Sequence, residues 1–106
     1  TSSTAFTFSN NVVNATVFTV DTGSINAFDM PYRITRGTAI KAGTLTVVSD
    51  ASGGNAPLLN DSTVEVGTTG FTWSVIQSGT TVTLRYTTTN TGVGGTLDYS
   101  LNYFTV

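Results

Sequence analysis

The chain reads as an all-β protein: a single antiparallel β-sandwich, jelly-roll-like, of about eight or nine strands. Three observations predict this. Large apolar residues recur at every second position along much of the sequence, the spacing of strands with one buried and one wet face. Threonine makes up roughly a fifth of the residues and is joined by valine and aromatics, which suit a pleated, half-buried surface. Glycine, asparagine and aspartate interrupt these runs at intervals of about 8–12 residues, as in sandwiches and barrels. No stretch collects Ala, Leu, Glu and Lys as a helix would.

The elements follow in order. Phe6 and Phe8 alternate with Ala5, Thr7 and Ser9, and Asn10 and Asn11 then offer a turn. Residues 12–20 form a mixed apolar stretch ended by Asp21, Thr22 and Gly23. Residues 24–28 are a short strand, and Pro31 is expected to break its ladder because proline donates no hydrogen bond. Tyr32, Ile34 and their neighbours through Arg36 alternate again and stop at Gly37. Residues 39–41 and 45–48 are expected to form one strand with a bulge at Gly43. The clearest loop spans residues 50–57, including Gly53 and Pro57. Val64 and Val66 mark a weak strand, and residues 67–70 turn into the clean alternation Phe71, Trp73, Val75. Residues 80–106 carry the strongest pattern. Val82, Leu84 and Tyr86, then Leu97, Tyr99, Leu101 and Tyr103, flank a turn-rich segment at 90–95, and the expectation is a two-stranded hairpin.

The totals bound the function. The 106 residues suit one domain large enough to bury a core unaided, and nothing splits them into two. Without cysteine there is neither a disulfide nor a thiolate metal site, and without histidine the usual general base and metal ligand are missing. A net charge of −2 with four basic residues offers no footprint for nucleic acid or an anionic membrane. No apolar run approaches the ~20 residues of a membrane-crossing helix. Only 9% of residues are charged, against ~25% in ordinary domains. Solubility then falls to hydroxyls and amides, a composition frequent in proteins that work outside cells or stack on copies of themselves. The sequence opens at Thr1 without methionine, which reads as a fragment or a processed chain.

Few residues are candidates for chemistry. Asp61 and Glu65, four apart, would share one side of a strand, but paired carboxylates at that spacing are unspecific. Asp50, Ser52, Asn55, Asn60 and Asp61 gather oxygen ligands around the glycine-rich loop, a set suited to a ligand or to calcium, the one cofactor considered. The competing reading is that such residues build turns, and the order lacks an EF-hand's spacing. The glycines at 92, 94 and 95 precede a strand rather than a helix, so they make a turn and not a phosphate cradle. Trp73 and the tyrosines could stack on sugar rings, yet they share faces with core aliphatics. The sequons at Asn14 and Asn60 are of a kind that a chain rich in Asn and Thr produces by chance. Arg33 and Arg36, three apart in a strand, point to opposite faces; the readings are that one of them is directed inward or into a subunit contact and paired with an acid such as Asp98 or Asp29, or that it is a plain solvent-facing charge.

Two stretches carry a resemblance. Residues 32–37 (Tyr-Arg-Ile-Thr-Arg-Gly) continue through 41–48 (Lys-Ala-Gly-Thr-Leu-Thr-Val-Val), and residues 78–92 close on 97–100 (Leu-Asp-Tyr-Ser). Over about two-thirds of the chain they resemble the small β domains at the C-terminal end of bacteriophage tail-fibre and tailspike proteins. The resemblance implies a non-catalytic tip of a longer fibre, located on the virion, assembled as a homotrimer and touching bacterial surface carbohydrate. Tyr32, Arg33, Arg36, Arg85 and Tyr86 would then be framework or trimer-contact positions. Two rival readings are a stand-alone carbohydrate-binding module of a secreted bacterial protein and a capsid decoration or adhesin domain. An enzyme ranks last.

Overall fold

The computed structural model describes residues 3–52 and 54–106. Every regular element is a strand: β1 (Thr4–Phe8), β2 (Ala15–Asp21), β3 (Ile25–Arg36), β4 (Ala39–Val48), β5 (Leu58–Val66), β6 (Phe71–Ser78), β7 (Thr81–Thr88), β8 (Gly95–Tyr99) and β9 (Asn102–Thr105). All pairings are antiparallel. One sheet runs β1-β8-β3-β4-β5, with β9 continuing along β3 beyond β8, and the other runs β2-β7-β6. The first strand beside the eighth and the second beside the seventh is the nesting of a jelly roll. The β3–β4–β5 meander departs from it, because the short two-residue turn at Gly37 keeps β4 in the sheet of β3.

The predicted hairpin over residues 80–106 does not form. β7 pairs with β2 and β6 in the small sheet, whereas β8 pairs with β1 and β3 in the large one. Residues 90–94 carry the chain across the sandwich, so the two faces that both read as buried face each other rather than lying side by side. The hairpins that do form, β3–β4 and β6–β7, turn on Gly37-Thr38 and Gly79-Thr80, with glycine at φ 61° and 60°. A positive φ at the first turn residue costs glycine nothing.

Pro31 does not end its strand. β3 passes through it for 12 residues, and the interruption falls on the partner: β8 stops at Tyr99 and β9 starts at Asn102. The Pro31 carbonyl accepts from the Ser100 N–H, so its edge faces this break, where the missing donor leaves no ladder bond unmade. Gly43 likewise marks no bulge, since β4 keeps its register with both neighbours. A Cβ there would run into the Ser62 carbonyl oxygen, so glycine serves a close approach of backbones. The broken alternation in residues 12–20 resolves into a loop and a bulge between Thr16 and Phe18, which leaves Val17 and Phe18 both half-buried.

Between the sheets lies an aromatic core. Phe71 and Tyr86 stack with centroids 5.3 Å apart, and Phe8 meets both edge-on. Met30, Ile34, Leu45, Val47, Leu84 and Leu97 complete it. The large sheet is wider than the small one, and the inward positions of β5 beyond that cover are polar. Asp61 accepts a 2.6 Å hydrogen bond from the Tyr32 hydroxyl and lies 3.7 Å from Lys41 Nζ, while Glu65 Oε2 accepts from the Thr69 N–H and hydroxyl.

Candidate functional site

The five residues expected to form one ligand site are not brought together. Asp50, Ser52 and Asn55 do meet in the loop after β4, of which Gly53 lies outside the described residues. There Asp50 Oδ1 accepts from the Ser52 N–H and hydroxyl at 2.9 and 2.8 Å, and Oδ2 accepts from the Asn55 amide at 2.8 Å. These bonds, led by the Ser52 N–H, hold the Asp50 carboxyl below the usual aspartate range. The loop thus satisfies its own carboxylate, as turn-forming residues do. Asn60 lies on the outer face of β5 and Asp61 on its inner face beneath Tyr32, as strand alternation requires. Among the described residues no group of three or more acidic side chains is placed to hold a metal ion.

Of the five framework or contact positions, Tyr32, Arg36 and Tyr86 are buried inside the domain, which makes them framework and removes them from any subunit contact. Arg33 and Arg85 reach the outer faces. The two arginines of β3 point oppositely, as expected, but the acid goes to the other one. Exposed Arg33 pairs with Asp98 at 2.9 Å. Buried Arg36 instead donates to three carbonyls (Thr69, Thr89 and Val93, 2.7–3.0 Å) and to Asn10 Oδ1, with its guanidinium 5.9 Å from the Phe8 ring centroid. It ties together the loops after β1, β5 and β7.

Burial pushes the Tyr32 hydroxyl up to about 12, reinforced by its bond to Asp61, so it stays protonated as a donor. Thr69 holds Glu65 below its ordinary range, mainly through its hydroxyl. The Asp61 and Glu65 carboxylates do share the inner side of β5 and the charge of Lys41, but each accepts its hydrogen bonds from a different residue.

A groove of about 380 Å³ lies where β9, β3 and β4 meet, lined by Ala27, Phe28, Asp29, Thr46, Asn102, Tyr103 and Phe104. Its geometry follows from a bulge: Ile25 pairs with Thr105 and Phe28 with Tyr103, so Asn26 and Ala27 together stand opposite Phe104. Bulges twist a strand and re-aim its side chains. Phe104 is 81% exposed and Tyr103 51%. On the outer face, Asp29 stands in register between Asn102 and Thr46 and accepts a 2.8 Å bond from the Thr46 hydroxyl through Oδ1. Among the described residues nothing engages Asp29 Oδ2 or the Asn102 amide. An apolar ring, a carboxylate oxygen and an amide therefore converge on one concavity of ligand size. Reasoning from alternation did not single out this site. The available signal was that Tyr103 and Phe104 are adjacent, and neighbouring strand residues cannot both face one core.

No family model matches the chain, and no curated protein or solved structure matches it either. The tail-fibre resemblance thus stands on its quoted phrases alone. Among the described residues, no helix is long and apolar enough to cross a membrane.

Proposed function

We propose that this domain is a non-catalytic carbohydrate-recognition module that binds a saccharide in the groove between β9, β3 and β4. The observation that carries the reading is the exposed Phe104 ring beside Asp29, Thr46 and Asn102. A pyranose has a C–H-rich face that lies on an aromatic ring, whose π-face is negative, and an edge of hydroxyls that both donate and accept. The Asp29 carboxylate accepts from such hydroxyls, and the Asn102 amide does both. The rest of the chain supports binding without chemistry: the inward acids Asp61 and Glu65 are occupied by structural donors, and histidine and cysteine are absent. The resemblance to tail-fibre tips supports placing the module on a virion that meets bacterial surface glycans. A secreted binding module would use the same groove.

Titration of bacterial surface saccharides, followed by NMR or calorimetry, tests the reading. Binding is expected with the wild-type chain and lost in Phe104→Ala and in Asn102→Ala. Failure of every saccharide at millimolar concentration, or affinity unchanged by both substitutions, would refute it.

A further inference from the structure

The outermost strand of the large sheet has an unpaired edge. β5 pairs only with β4, and no described strand occupies its other side. Exposed edges are ordinarily blunted by proline, lysine, a bulge, shortness or inward-pointing charge. β5 has only the last: its nine residues lack Pro and Lys, its register runs unbroken from Val48↔Leu58 to Ile40↔Val66, and its inward acids Asp61 and Glu65 already accept from Tyr32 and Thr69. The edge strand β2, by contrast, is bulged. The outer face of β5 also carries Leu58, Val64 and Val66, each 71–77% exposed.

Charge repulsion leaves the strand one register in which to pair with a copy of itself. A two-fold axis perpendicular to the sheet pairs residues of the same face, and only three centres keep seven or more of the nine residues paired: Asp61, Ser62 and Thr63. Centring on Asp61 sets that carboxylate opposite its own copy. Centring on Thr63 sets Asp61 opposite Glu65. Like charges directly opposite are destabilising. Centring on Ser62 sets Asp61 opposite Thr63, Glu65 opposite Leu59, Asn60 opposite Val64, and Leu58 opposite Val66. The same axis aligns the rows of β4 across the joint, so that Val48, Leu58, and the second copy's Val66 and Ile40 form one apolar row, repeated by symmetry. Val48 and Ile40, 54% and 45% exposed in one chain, thereby extend the contact beyond the edge strands.

We propose that two copies of this chain join their β5 strands antiparallel about Ser62, making one continuous sheet in a closed two-fold dimer. Thr46 of β4 lines the groove one strand in from this edge, but the joint uses only the unpaired side of β5, so the dimer does not depend on sugar binding. A closed two-fold pair stands in place of the homotrimer that the tail-fibre resemblance implies.

Sedimentation equilibrium at 10–100 μM (a range set by the about-micromolar affinities of modest interfaces) is expected to give twice the 11.1 kDa chain mass. The Ser62 side chain is exposed, so substitutions there leave the fold intact, as circular dichroism would check. Ser62→Lys and Ser62→Asp alone each place like charges face to face and are expected to be monomeric, whereas an equal mixture of the two re-forms the dimer. A wild-type chain that is monomeric or trimeric would overturn the proposal, as would either single variant that remains dimeric or a mixture that stays monomeric.

Discussion

β3 joins two ends of the sandwich that the chain treats in opposite ways. Its last residue, Arg36, is sealed beneath three loops and has four hydrogen bonds and no carboxylate. Its first turn of chain, Ile25 to Asp29, lies under β9 and leaves Phe104, Tyr103 and the free oxygen of Asp29 open to solvent. Pro31 sits between them, opposite the gap that divides β8 from β9. At one end polarity is spent inward on the fold, and at the other apolar surface is left outward. A buried guanidinium is tolerated because carbonyl dipoles replace its water. A single exposed phenylalanine is ordinary by itself; at Phe104 it is the groove beside it, with Asp29 and Asn102, on which the proposed saccharide site rests.

The largest effect that tests this contrast is expected from Arg36→Met. The substitution keeps the apolar stem and strands the Thr69, Thr89 and Val93 carbonyls together with Asn10 Oδ1. A loss of about 3–5 kcal/mol is expected, against about 0–1 kcal/mol for Arg33→Ala, whose side chain is 63% exposed in its pair with Asp98. Urea unfolding of both variants measures the difference. Equal losses would mean that Arg36 locks nothing.

The inner polar side of β5 sets the next effect, in the pH profile. Tyr32 has its acid constant raised from 10.0 to about 12, so the folded state favours the protonated hydroxyl. Its contribution is complete below pH 10 and is lost as pH rises from there toward 12. Glu65 and Asp50 are shifted downward, so their contributions are present above the ordinary carboxylate range and are lost as pH falls below it. Glu65 is exposed and Asp50 lies half-exposed in a surface loop, and the acid limb is therefore the shallower one. Chemical denaturation between pH 3 and 11.5 (a range that brackets these ordinary constants) checks the order. Tyr32→Phe should remove the part of the alkaline fall that begins near 10, and a profile identical to wild type would break the assignment.

The legible and illegible parts of the fold divide along the same line. Alternation of period two gave the position of most strands and, where it is unbroken as in β7, the inward face, because side-chain direction depends only on neighbouring residues; it failed at Tyr103, which shares the pattern of the core face yet is 51% exposed. It placed Val82, Leu84 and Tyr86 correctly in the core. Which strand lies beside which was not readable, since residues 81–87 and 97–103 alternate in the same way whether they are neighbours in one sheet or opposed across two. Pro31 misled for a related reason: its missing donor was visible, but the side of the strand facing that donor depends on the partner. Asn60 and Asp61 looked like part of a loop-centred ligand set because they follow the loop in sequence, while strand geometry turns them to opposite faces of β5. The groove was hidden by β9, a four-residue strand too short to show a period.

The smallest expected effect on stability is the most diagnostic of the open end. Phe104→Ala removes a ring that is 81% exposed, so the free energy of unfolding should stay within about 0.5 kcal/mol of wild type. Phe8→Ala, at 1% exposure in contact with Phe71 and Tyr86, should cost about 3–5 kcal/mol. The two substitutions delete the same atoms from opposite environments, so the difference between them measures how little of Phe104 the fold uses. A loss of 2 kcal/mol or more (about the scale on which a ring is counted as core) at Phe104 would assign the ring to holding β9 against β3, and the groove would then be a by-product of packing. Retained stability together with lost saccharide binding assigns the ring to the ligand, because an aromatic that leaves folding unchanged when removed has its contacts elsewhere.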